Sequence, residues 1–106
     1  MRHAWAKILA VFLLSAAAVA EAALAETGAS AGTQIAQRWC VNCHVISSAQ
    51  TGAAPQGPPS FPTIAKIGMS ADQLHAFLSH PHGAMPDLAL TRTEIDDLIA
   101  YIQSLR

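Results

Sequence analysis

Residues 40–44 read Cys40-Val41-Asn42-Cys43-His44. This is a C-x-x-C-H pentapeptide, and it constrains the chain more than any other feature. Two thiols three residues apart can each add to one vinyl group of a porphyrin. The next residue then puts an imidazole under the iron. Five positions therefore specify a covalently bound haem c, its attachment points Cys40 and Cys43, and one axial ligand, His44.

The two cysteines are the only ones in the chain. An exported protein can use such a pair as a disulfide, but a close pair followed directly by His is less easily explained that way. A thioredoxin-type redox pair calls for a strand–helix–strand setting, which the flanking residues do not supply. A zinc or copper site would need further ligands. His75, His80 and His82 are present, but there is no second cysteine pair.

The first residues read as an export signal. Arg2, His3 and Lys7 make a basic start, and Ile8 to Ala20 is an apolar run broken by one Ser. Ala23-Leu24-Ala25 then offers a small-x-small cleavage site before Glu26. The run is shorter than the roughly 20 residues a membrane span needs. Residues 1–25 are thus expected to be a cleaved secretory signal and residues 26–106 a single periplasmic domain. Membrane attachment would require the segment to stay uncleaved. From Glu26 onward four basic residues face six acidic ones, a net of −2 with His neutral. No basic patch points to nucleic acid or an anionic membrane. A domain this short buries only a modest core by itself, and a haem would supply its apolar centre.

Local patterns predict an all-α chain with long loops. Residues 26–32 read as a frayed, small and polar terminus, and a short helix follows from Gly32 to Trp39. Trp39 is expected in the core, with Ile35 on the same face. Val45 to Ser60 is rich in Ser, Gly, Pro and Gln and reads as a loop long enough to need tying down. Pro62 to Lys66 suits one or two helical turns. Ser70 and Gln73 have capping-box spacing, and so do Thr91 and Glu94. The first box opens a helix with Leu74, Phe77 and Leu78 on its apolar face, stopped by Pro81. The second opens a final helix with Ile95, Leu98, Ile99, Ile102 and Leu105 on one side.

A haem iron takes a second axial ligand, which here must come from a distant segment. Met85, Met69, His75, His80 and His82 are the candidates. Met85 is favoured because Gly83-Ala84-Met85-Pro86 is a loop that can present a side chain inward. His/Met ligation raises the reduction potential relative to bis-His. It also fills the coordination sphere, which favours electron transfer over catalysis. A haem-bearing sensor or enzyme module with an open sixth position is the alternative. A metal-bound His usually donates its other N–H to a carbonyl or carboxylate, and Gly57-Pro58-Pro59 offers carbonyls in a rigid segment.

Together these residues resemble the small class I c-type cytochromes, over nearly the whole stretch from Gly32 to Leu105. Gly32, eight residues before Cys40, matches the glycine at which the family's first helix crosses its last. Asp97-Leu98-Ile99-Ala100-Tyr101-Ile102 is similar to the family's C-terminal helix, where an aromatic residue packs on that crossing. Gly57-Pro58-Pro59-Ser60-Phe61 resembles the family's Pro-containing loop and points to the Pro59 carbonyl as the partner of His44, with Pro58 second. Gly83-Ala84-Met85-Pro86 matches its ligand loop. The resemblance implies a cytochrome c fold of three to four short helices around one haem, and a role shuttling single electrons between redox donors and acceptors. A periplasmic dehydrogenase or a terminal oxidase is the expected kind of partner. The chain departs from the family in lacking a ring of lysines, which argues against a partner that reads a strongly basic face.

Overall fold

The computed structural model describes residues 27–50 and 57–106. The expected signal segment, residues 1–25, lies outside the described residues. Among these, four helices and no strand are present. Helix α1 covers residues 27–35 and runs on into a π-helical turn, Ala36–Cys40. Helices α2 (Phe61–Ile67), α3 (Ala71–Leu78) and α4 (Arg92–Ser104) follow. The chain is all-α, with helices of the number and length expected of a cytochrome c fold.

Helix α4 is the element on which the others pack. Its buried face is Ile95, Leu98, Ile99, Tyr101 and Ile102, and both α2 and α3 lie against it. Helix α1 crosses it at Gly32. A Cβ built on Gly32 would collide with the Asp97 carbonyl, 2.6 Å from its carbon, and would stand 2.8 Å from Tyr101 Cβ. Only glycine admits so close an approach of two backbones.

This crossing also corrects two expectations. Residues 27–31 are helical rather than frayed, because packing on α4 overrides the weak helix propensity of Gly and Ser. Trp39 is 53% exposed and outside the core. The buried line of α1 is Gly32, Ala36 and Cys40, spaced by four. Only small side chains fit where the helices nearly touch, so the indole is turned out.

Both capping boxes form. In α3, Gln73 N–H donates to Ser70 Oγ at 3.2 Å, and Ser70 N–H donates to Gln73 Oε1 at 2.8 Å. In α4, Glu94 N–H donates to Thr91 Oγ1 at 3.3 Å, and both the N–H and the hydroxyl of Thr91 donate to Glu94 Oε2 at 2.8 Å. These bonds from Thr91 hold the exposed Glu94 carboxyl below the usual range. The stabilisation is present above the unfolded carboxylate pKa and is lost as pH falls through the folded one. Helix α3 buries Leu74 and half-buries Leu78. Phe77 does not join that face. It is 52% exposed and packs edge-on to His82 instead.

One buried polar contact ties the chain after the pentapeptide to α4. Tyr101 Oη donates to the Ile46 carbonyl at 2.8 Å, and both residues are buried. Burial pushes the phenol pKa up, so it stays a donor.

Three substitutions test this packing. Gly32→Ala gains about 1 kcal/mol of helix propensity but forces α4 away, and it is expected to destabilise the folded haem protein by about 2 kcal/mol net. Gly28→Ala meets only the end of the Asp97 side chain at 3.3 Å and Ala100 Cβ at 3.5 Å, and with the same gain in propensity should be neutral or stabilising by up to about 1 kcal/mol. Urea unfolding followed by circular dichroism distinguishes the pair. In the same assay Tyr101→Phe strands a buried carbonyl and should cost about 1–2 kcal/mol.

Candidate functional site

The π turn delivers the chain into the pentapeptide. Val41 N–H reaches back five residues to the Ala36 carbonyl at 3.1 Å. Such widened turns recur at functional sites. Cys43 N–H and His44 N–H then both donate to the Cys40 carbonyl, at 3.1 and 2.8 Å. The two cysteines and His44 are thereby fixed on one continuous bonded turn.

Cys40 and Cys43 are both free thiols, the first buried and the second exposed. Burial pushes the Cys40 thiol up to about 11, and the neighbouring Cys43 adds to the shift. A redox-active dithiol needs the opposite, a nucleophilic cysteine with a lowered pKa. The environment of Cys40 therefore opposes thioredoxin-type chemistry.

His44 is half-buried and held on two sides. Its Nδ1 lies 2.8 Å from the Pro59 carbonyl oxygen. A carbonyl can only accept, so Nδ1 carries the proton and Nε2 is left with its lone pair. The ring also packs on Phe61, with centroids 5.4 Å apart and planes at 52°. Phe61 in turn meets Tyr101 edge-on at 6.3 Å. An aromatic column thus links the imidazole to α4.

The Pro59 carbonyl is itself well fixed. Pro58 and Pro59 have φ set by their rings. Ser60 follows as the N-cap of α2, accepting from Thr63 N–H at 3.2 Å. Phe61 N–H then donates to the Val45 carbonyl at 2.9 Å. The loop between residues 44 and 61 is closed at both ends by these bonds. In the sequence Phe61 follows the Pro58-Pro59 segment, but its contact with His44 is not marked there. Nothing in the spacing signals that contact, which depends on the closure of a 16-residue loop.

The other candidate ligands lie on other segments of the chain. Met85 is half-buried in the connection between α3 and α4, and its N–H donates to the His82 carbonyl at 3.0 Å. Met69 is half-buried at the start of the α3 cap, with its carbonyl 3.3 Å from Arg106 Nη2. His75 lines the groove between α3 and α4, with Nδ1 3.0 Å from Ser79 Oγ. His80 and His82 are exposed, and each directs Nδ1 at carbonyls of its own segment. Among the described residues no group of three or more His, Cys, Asp and Glu side chains is placed to hold a metal ion. A haem fits the donor set at residues 40–44: two unpaired thiols on one turn, followed by an imidazole whose Nδ1–H is held by Pro59, so that the neutral ring turns its lone pair to Nε2.

Comparison with known proteins agrees. Residues 27–102 match the family described as cytochrome C oxidase, cbb3-type, subunit III. The chain is 41% identical over 95 residues to cytochrome c-552 of Bradyrhizobium diazoefficiens, an alignment covering 89% of each chain. No solved structure matches. The fold, the pentapeptide and these matches together make the chain a member of the small c-type cytochromes, carrying one covalently bound haem c and working with protein redox partners.

Proposed function

We propose that the protein is an exported, periplasmic single-electron carrier whose haem iron is held between His44 and Met85. The observation that carries this reading is the His44–Pro59 hydrogen bond of 2.8 Å beside the two thiols. It fixes the tautomer and the ring orientation that a metal-binding imidazole needs. When bound, the haem supplies a one-electron Fe(III)/Fe(II) couple.

Each residue then has a definite task. Cys40 and Cys43 provide the thioether links. His44 offers Nε2 as one axial ligand, and Pro59 holds that ring in place. Met85 offers a soft thioether sulfur, which favours Fe(II) and raises the potential relative to a second imidazole. A haem held by both His44 and Met85 would have no open position on its iron for substrate or oxygen. That argues for electron transfer rather than an enzyme or a gas sensor.

Export is supported by the basic start, the apolar run and the Ala23-Leu24-Ala25 site. Cleavage after Ala25 would release a domain of residues 26–106. Among the described residues no helix is long and apolar enough to cross a membrane. The carrier acts free or as the cytochrome partner of a larger complex. A terminal oxidase is favoured as the acceptor, since the matched family is described by an oxidase subunit. A periplasmic dehydrogenase is a natural donor.

Met85→Ala tests the ligation. The ferric wild type should show a long-wavelength Met–Fe(III) charge-transfer band, and the variant should lack it. The reduced variant should bind carbon monoxide at neutral pH, while the wild type should not. A band that survives in Met85→Ala would exclude Met85, and carbon monoxide binding by the wild type would favour the open-site alternative.

A further inference from the structure

We propose that His82 is a positioning residue for Met85: its ring fastens the turn that carries Met85 to the C-terminal end of α3. The inference rests on the reading of Met85 as an axial ligand.

The need for such a fastening is written in the sequence. The last carbonyls of any helix lack intrahelical donors. In α3 the Phe77 carbonyl would ordinarily take the N–H of residue 81, but that residue is Pro81 and has none. His82 supplies the missing donor. Its Nδ1 lies 3.0 Å from the Phe77 carbonyl and 3.2 Å from the His80 carbonyl. Both neighbours are acceptors only, so Nδ1 carries the proton and shares it between them. The ring also stands edge-on to Phe77, with centroids 5.3 Å apart and planes at 89°. Phe77 remains 52% exposed beside it.

His82 is joined to Met85 through its backbone as well. The His82 carbonyl accepts Met85 N–H at 3.0 Å, closing a four-residue turn. Gly83 within it has φ 55°, a conformation that favours glycine. One residue therefore grips the helix end with its ring and the ligand-bearing residue with its carbonyl. His80 adds a weaker bond of the same kind, from Nδ1 to the Ala76 carbonyl at 3.3 Å.

An outside ligand can replace the Met85 sulfur only when this turn swings away. Its apparent affinity is the intrinsic affinity scaled by the open fraction. Removing the His82 donor raises that fraction by about fivefold, the effect of one net hydrogen bond lost at an exposed carbonyl that water can then satisfy.

The test is an imidazole titration of the ferric holoprotein at neutral pH, read at the Met–Fe(III) band, for wild type, His82→Phe and His82→Asn. Phe keeps an aromatic ring against Phe77 without the donor. Asn places an amide N–H near the position of Nδ1. His82→Phe should bind imidazole about fivefold more tightly, and His82→Asn should stay within about twofold of wild type. His82→Leu, which also lacks the donor, replaces His82→Phe if that variant does not mature. A merely structural role would lower the unfolding midpoint and leave all three affinities equal, which overturns the proposal. Asn behaving like Phe overturns it too. A wild type without the band removes the Met85 reading and the fastening together, whereas a band with equal affinities removes the fastening alone.

Discussion

The hydrogen bond from His44 Nδ1 to the Pro59 carbonyl is the interaction on which the site depends. Its chemical content is simple. A carbonyl cannot donate, so the neutral imidazole carries its proton at Nδ1 and presents its lone pair at Nε2 on the opposite edge. The bond is only as good as the position of its acceptor. Two prolines stiffen the segment, the Ser60 cap starts α2 immediately after it, and the bond between Phe61 and Val45 draws the loop shut. The Phe61 ring then braces His44 from the side.

That local arrangement is held by α4. The Gly32 crossing lets α1 approach until Cβ atoms cannot be tolerated, and this brings the end of α1, where the cysteines lie, onto the core. Tyr101 sits at the crossing and serves twice. Its ring meets Phe61, and its hydroxyl anchors Ile46 just past the pentapeptide. A short domain buries too little surface to be generous with stability, so single contacts of this kind weigh heavily.

Much of this was legible in the sequence. The pentapeptide, both capping boxes and the apolar face of α4 are local patterns, and local patterns are read directly. Gly32 as the crossing residue came from the family resemblance, and the backbone geometry gives its physical reason. The failures share another cause. Trp39 reads as core by composition but is excluded because the crossing admits only small side chains. Residues 27–31 read as frayed because Gly and Ser are weak helix formers, yet long-range packing makes them helical. Phe77 has the spacing of a core residue, but its ring packs on His82, four residues past the end of the helix. The roles of Phe61 and His82 likewise depend on loop closure, which no periodicity encodes.

The most direct measurement is the nitrogen–proton NMR correlation of the imidazole of His44 in the reduced, haem-loaded protein labelled with nitrogen-15. One ring proton is predicted, on Nδ1, slow to exchange with water and close in space to the protons of residues 59–61. A proton on Nε2 would contradict the account, as would an Nδ1 proton that exchanges as freely as those of the exposed rings.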